Sequence, residues 1–291
     1  MELRVLQYFL AVAREQNISA AAQSLHLSQP TLSRQLKDME DELDKQLFIR
    51  GSRKITLTEE GMLLRRRAEE IIDLVNKTEH EIAASGDGIA GDIYIGAGET
   101  DAIRLVARAA QNLQAEYPHI HYHISSGDAV DVSEHLDKGL IDFGVLLDPA
   151  DLSKYDSLRL PVKDVWGVLM RKDAPLAKHA SIHPENLWKE PLIISRQAMK
   201  GDILPQWLRK DEGQLNIVAT YSLLYNGSLM VEEGLGYALC IDRIINTTGS
   251  SALCFKPLSP RLEIGINIVW KKYQFFSKAG TKFLEKLQEL F

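Results

Sequence analysis

The first regular signal along the chain is helical. Between Leu3 and Glu15 the apolar residues Leu3, Leu6, Leu10 and Ala13 fall on one face, widened by Val5, Phe9 and Val12. Ser19 is placed to cap a second short helix through Ala20-Ala21-Ala22-Gln23-Ser24-Leu25. Leu27 ends that helix and Ser28 can cap a third. Pro30 is tolerated in its first turn, where the missing amide would have no intrahelical partner. Leu32, Leu36, Met39 and Leu43 then follow at spacings of four, three and four, a core stripe from which Ser33, Arg34 and Lys37 project away. Two helices joined by a short turn, the second with a hydrogen-bonding outer face, is the geometry that major-groove readout needs.

The pattern then changes twice. Gln46 to Thr58 reads as two short extended pieces around Gly51-Ser52, a hairpin wing with basic residues at its tip, and Thr58 resembles an N-cap with Gly61 three residues on. From Met62 to about Ala84, Leu64, Ala68, Ile71, Val75, Thr78 and Ile82 alternate spacings of four and three. That is the seam of a coiled coil, which implies dimerisation; the alternative is a helix packed on its own domain. Ser85-Gly86-Asp87-Gly88-Ile89-Ala90-Gly91 reads as a flexible linker.

Beyond the linker, strands and helices alternate. Strands are expected at Asp92–Ala97, Ile120–Ser125, Phe143–Leu147, Leu158–Val162, Trp166–Met170, Pro191–Ser195, Leu215–Thr220, Tyr237–Ile241 and Ile264–Trp270. Helices are expected at Thr100–Tyr117, Val130–Lys138 and Thr281–Leu290. This alternation predicts open α/β sheets that bind ligands at the carboxyl ends of their strands. Roughly 200 residues of it, with the chain returning at the end, suggests two lobes around a cleft.

Composition narrows the class. The net charge of −6 gives no global nucleic-acid signature, and the basic residues of the first sixty positions are balanced by acids, so any DNA footprint is a local patch. Two cysteines, Cys240 and Cys254, are too few for a disulfide framework and fit a reducing compartment. The opening Met1-Glu2-Leu3-Arg4 lacks the features of a signal peptide, and no apolar run is long enough to span a membrane, so a cytoplasmic location is expected. G-x-S-x-G, P-loop and His-Glu-x-x-His motifs do not occur, which argues against an enzyme.

An ordered series of segments carries a family resemblance. Asn17-Ile18-Ser19-Ala20-Ala21-Ala22, Leu27 through Leu36, Leu47-Phe48-Ile49-Arg50 and Leu57-Thr58-Glu59-Glu60-Gly61 resemble LysR-type transcriptional regulators. So do Gly91 through Gly96, Tyr117-Pro118, Gly139-Leu140-Ile141-Asp142 and Glu233-Gly234-Leu235-Gly236. One departure stands at Leu43-Asp44, where the family usually has a glycine after the leucine.

The resemblance implies an α/β protein with an N-terminal winged helix-turn-helix, a long linker helix, and a two-lobed α/β effector-binding domain of periplasmic-binding-protein type. The expected boundaries are 1–60, 61–85, a hinge at 86–91, and 92–291, with one lobe formed by 92–160 and 267–291 and the other by 161–266. It also implies double-stranded DNA and an unidentified small-molecule effector as partners, and self-association as a dimer and a tetramer, with no membrane partner. Neither a cofactor nor a metal is expected.

For DNA, the resemblance points to the third helix, at Gln29, Pro30, Thr31, Ser33, Arg34 and Lys37. Gln29 can pair with adenine, Ser33 can donate or accept at a base, and Pro30 and the Thr31 methyl suit a thymine methyl. Arg34 and Lys37 suit phosphates; a solvated helix face is the alternative for Lys37. In the wing, Arg53 would reach the minor groove, with Arg50 and Lys54 near phosphates; for Arg50 a local ion pair is the alternative. For the effector, Thr100, Asp128, Leu147, Ser195, Gln197 and Ser222 are candidates by position, flanked by Glu99 and Arg196. The family often has a small neutral residue at the position of Glu99. A carboxylate there opposes an anionic ligand unless it points away, and favours one with an amino group or a neutral polar one; the alternative is a solvated residue at the rim.

Two further features have simpler readings. His119, His121 and His123 alternate on one strand and could bind a metal, but Ile120, Tyr122 and Ile124 explain the strand as half-buried. Cys240 lies in an apolar strand, where a thiol is inert core rather than a redox switch. A transport-type binding protein and a sugar-type repressor also fit a two-lobed domain. The DNA-binding head argues against the first, and the long heptad helix and wing against the second.

Overall fold

Each of the three opening helices has a local reason for where it starts and stops. A computed structural model describes residues 1–51, 54–83, 88–201 and 203–290, and the chain divides into two compact units, Met1–Ala83 and Ala84–Phe291. The first begins with α1 (Leu3–Glu15), α2 (Ile18–Ser24) and α3 (Gln29–Leu43). Asn17, not Ser19, caps α2: its Oδ1 accepts the amides of Ser19 and Ala20 at 2.9 and 3.1 Å, so the helix starts earlier than a Ser19 cap would allow. Ser28 caps α3, with its Oγ accepting the Thr31 amide at 3.3 Å. Asp44, at φ 50°, ends α3 in the left-handed conformation that a glycine adopts more easily.

Ala21 and Ala22 are buried, and their small side chains let α2 sit close to its neighbours. Leu6, Phe9, Val12, Leu32, Leu36 and Met39 complete the helical core with Leu47 and Phe48 from the hairpin. The hairpin strands β1 (Phe48–Arg50) and β2 (Ile55–Leu57) pair antiparallel. Glu40 ties them to α3, its Oε1 accepting the amides of Leu47 and Phe48 at 2.6 and 3.1 Å.

Thr58 anchors the next helix, α4 (Glu59–Ala83). Its Oγ1 accepts the Gly61 amide at 2.9 Å and donates to the Gln46 carbonyl at 2.7 Å. Gly61 is required by contact: a Cβ there would lie 2.2 Å from the Leu47 carbonyl oxygen. The apolar seam of α4 divides between two environments. Ala68 is buried in the core of its own unit with Leu64 and Ile72 against it, whereas Ile71, Leu74 and Ile82 are exposed.

The second unit contains β3 (Gly91–Ala97), α5 (Ile103–Glu116), β4 (Ile120–Ser126), α6 (Ala129–Asp137), β5 (Phe143–Leu147) and β6 (Tyr155–Arg171). It continues with β7 (Leu192–Ser195), α7 (Arg196–Lys200), α8 (Ile203–Leu208), β8 (Ile217–Tyr221), α9 (Leu224–Glu232), β9 (Tyr237–Ile241), β10 (Leu253–Pro257), β11 (Glu263–Lys271) and α10 (Lys278–Glu289). The strand order is β4-β3-β5-β11-β6-β9-β7-β8, with β10 on β6. Ser85, Gly86 and Asp87 of the expected linker lie outside the described residues.

β6 joins the two lobes. The sequence suggests two strands separated by Lys163-Asp164-Val165, but one continuous strand runs from Tyr155 to Arg171. Its first part pairs with β11 as far as Val165, and from Trp166 it pairs with β9 and β10. This change of partner comes a few residues beyond the Leu160–Pro161 boundary suggested by the sequence. β10 is a further strand without a clear periodic signal.

Each lobe buries both faces of its sheet. In the first, Ile93, Ile95 and Phe143 face Val106, Leu113 and Phe283 of α5 and α10, while Val132 and Leu136 of α6 cover the other side with Leu146 and Val269. In the second, alternation along the strands sends Val168 and Ile194 to one cluster and Leu169 and Ile193 to the other. β4 is an edge strand; Ile120 is buried, but Ile124 is 59% exposed rather than part of a buried face.

Gly61→Ala destabilises the N-terminal unit by about 1–3 kcal/mol, because the added methyl must displace backbone. Far-UV circular dichroism in a denaturant series checks this; an unchanged helical transition contradicts the packing at Gly61.

Candidate functional site

The outer face of α3 is open. Gln29, Pro30, Thr31, Arg34 and Lys37 are exposed and Ser33 is half-buried. The Thr31 hydroxyl is engaged by Ser28 Oγ at 2.7 Å, so its methyl is the more available group. Among the described residues, neither Arg34 nor Lys37 has a carboxylate partner. Unpaired cations flanking polar side chains on one helix face suit phosphate contact beside base-edge contact. Lys54 is exposed next to β2. Arg53 and the Arg50 side chain lie outside the described residues.

The second unit holds a cleft of about 170 Å³ where its lobes meet. Glu99, Asp128 and Leu147 line it from the first lobe, and Ser195, Gln197 and Ser222 from the second. Arg196 is exposed and outside the lining, because α7 begins there and turns its side chain to solvent. Thr100 is also outside the lining. It is buried, and its Oγ1 donates to Asp164 Oδ2 at 2.5 Å.

Two side chains cross the cleft reciprocally. Glu99 Oε2, from the loop after β3, accepts the amide of Leu224 at the start of α9. Gln197 Oε1, from α7, accepts the amide of Ala129 at the start of α6 at 3.1 Å. Each lobe thus supplies an acceptor to an otherwise unpaired first-turn amide of the other. Glu99 is therefore neither solvated at the rim nor directed away from the cleft.

Asp164 sits at the crossing of β6 and is fully buried. Burial pushes its carboxyl above the usual range, opposed by the Thr100 hydrogen bond and the Arg243 charge. Arg243 Nη2 donates to Asp164 Oδ1 at 3.0 Å, and Nη1 lies 3.6 Å from Asp101 Oδ2. A buried carboxylate persists only when it is paired in this way.

Asp148, Trp166, Tyr221, Leu224, Ile241 and Ile264 also line the cleft, although sequence reasoning does not single them out. Asp148 follows the end of β5, where the strand-end rule applies. Trp166 lies inside β6, where pairing with β9 begins, and not at a strand's carboxyl end. Cys240 lines the floor, and burial pushes its thiol well above the ordinary range, away from the reactive thiolate. His123 stacks on Tyr94 at 4.6 Å and contacts Asp92 Oδ1 at 3.0 Å. Among the described residues no group of three or more metal-binding side chains occurs, and no helix is long and apolar enough to cross a membrane.

Both units match one family. Residues 3–62 fit the bacterial regulatory helix-turn-helix protein, lysR family, and residues 86–291 fit the LysR substrate binding domain. The chain belongs to the LysR family. It is a DNA-binding transcriptional regulator with a substrate-binding domain, not an enzyme. It is 26% identical over 294 aligned positions to the HTH-type transcriptional regulator YvbU of Bacillus subtilis (strain 168), covering 100% of this chain and 99% of that one. The HTH-type transcriptional regulator BsdA of the same organism is 36% identical over 175 residues, 60% of this chain and 59% of its own. Among solved structures, the LysR family regulator CbnR has a TM-score of 0.78 at 17% identity, covering 100% of this chain and 99% of that one.

Thr100→Val leaves buried Asp164 one donor short and costs about 1–3 kcal/mol. The sign follows from the raised carboxyl. The folded state holds its proton to higher pH than the unfolded state, so the cost is largest where Asp164 is ionised and narrows as pH falls through its raised pKa. Thermal melts of both proteins across that range check this; a cost independent of pH contradicts it.

Proposed function

We propose that the outer face of α3 reads the major groove, through Gln29, Pro30, Thr31 and Ser33 at base edges and Arg34 and Lys37 at phosphates. The carrying observation is that this face is exposed and its two cations have no carboxylate partner among the described residues. Lys54, Arg50 and Arg53 of the hairpin serve the adjacent backbone and minor groove. CbnR, similar in fold with a TM-score of 0.77, has been solved at full length with its target DNA, which supports this use of the fold. The protein works in the cytoplasm, where such DNA is reached.

The cleft between the lobes is the effector site, and its reciprocal contacts make it sensitive to an occupant. A ligand that prefers one arrangement of the lobes shifts the population toward it. The shift reaches DNA through self-association, by changing how copies pack and so the spacing or bend of the bound duplex.

Two separate apolar surfaces support a dimer of dimers. One is the uncovered stripe of α4 at Ile71, Leu74 and Ile82. The other is divided between opposite edges of the sheet in the second unit, with Ile124 exposed on β4 at one edge and Val218 on β8 at the other, and Tyr225 exposed on α9. A closed assembly of four copies with twofold symmetry uses two kinds of interface.

In gel shifts over a salt series, Gln29→Ala with Ser33→Ala relaxes base preference. Lys54→Ala weakens all sequences alike and lowers the salt slope by about one. Unchanged binding in both variants removes α3 and the wing from the interface. Leu74→Glu with Ile82→Glu reduces the assembly by light scattering after size exclusion; an unchanged mass contradicts a role for α4.

A further inference from the structure

We infer that the cleft selects a small apolar molecule carrying a protonated amine, with its ammonium held by Glu99. This rests on the cleft being the effector site. The described lining residues include three carboxylates, Glu99, Asp128 and Asp148, and no lysine or arginine.

Two of those carboxylates each take two donors from within the fold, where Glu99 takes one. Asp148 Oδ2 accepts from Arg159 Nη2 at 2.8 Å and its Oδ1 accepts from Asn267 Nδ2 at 2.8 Å. Asp128 Oδ1 accepts the amides of Val130 and Asp131 at 2.9 and 3.1 Å, capping α6. Among the described residues Glu99 has a single hydrogen bond, from the Leu224 amide to Oε2. Among the described residues, its Oε1 has no donor. An ionised carboxylate can take several, so Glu99 retains acceptor capacity and negative charge facing the cleft.

The same contact disfavours an anionic ligand. The start of α9 is a place where an acid group would be welcome, and Glu99 already occupies it. A free carboxylate would meet a negative rim with no described cation to pair with. Much of the remaining lining is apolar, through residues such as Trp166, Ile241 and Ile264, beside the neutral polar Ser195, Gln197 and Ser222. Its volume of about 170 Å³ exceeds the roughly 150 Å³ of a cavity that holds benzene. One ring with a short chain, or a six-carbon chain, fits that space.

Calorimetry on the full chain tests this with probes matched in skeleton and differing in charge: phenethylamine, 2-phenylethanol and 3-phenylpropanoate, and hexylamine, hexanol and hexanoate. The amines are expected to bind about tenfold or more tighter than the alcohols, and the carboxylates weaker than either. Glu99→Gln keeps an acceptor for the Leu224 amide while removing the charge. In it, amine and alcohol affinities converge and the carboxylate gains. Preference for the carboxylates, or affinity blind to charge in the unmodified protein, overturns the amine assignment and leaves the cleft standing as an effector site. Absence of binding by every probe overturns both.

Discussion

The effector unit depends on an exchange of helix caps between its lobes. The first-turn amides of an α-helix have no partner within the helix. α9 and α6 both start at the cleft, and each receives an acceptor from across it, Glu99 for Leu224 and Gln197 for Ala129. Both contacts run from one lobe to the other, so both are lost if the lobes part. A molecule entering the cleft meets Glu99 and Gln197, the two side chains that cross it.

That exchange needs a fixed axis, and β6 provides it. One strand carries the sheet of the first lobe as far as Val165 and that of the second from Trp166. Asp164 lies at the junction, buried and held by Thr100 from the first lobe and Arg243 from the loop after β9. Glu99 and Thr100 are neighbours in sequence with divided tasks: one reaches to α9, the other to the crossing strand. Removing one partner of a buried charged group is costly, so the junction at Asp164 depends on both Thr100 and Arg243.

The sequence made the head unusually legible, because its helices are short, amphipathic and locally capped. Leu32, Leu36 and Met39 face the core as their spacing requires, and Ser28 and Thr58 cap where their positions suggest. Asn17 displaced Ser19 because two residues with similar capping chemistry stood close together. Periodicity also could not divide the seam of α4 between Ala68, taken by its own core, and Ile82, left uncovered. In the second unit the strand-end rule pointed to the loops of Glu99 and Asp128, and family position to Leu147 and Ser195, all four of which line the cleft, but Thr100 and Arg196 share those loops and face elsewhere. Side-chain direction in a loop has no period from which to read it. β6 was divided because a buried, paired Asp164 looks in sequence like a solvent-exposed break.

The measurement closest to the centre of this account is amide hydrogen exchange at the start of α9 in the full-length protein. The Leu224 amide should exchange slowly in the unmodified chain and about tenfold or more faster in Glu99→Ala, as its acceptor is lost, with the amides of α1 to α3 unchanged. Equal exchange at Leu224 in the two proteins would show that the lobes are not held together by exchanged caps.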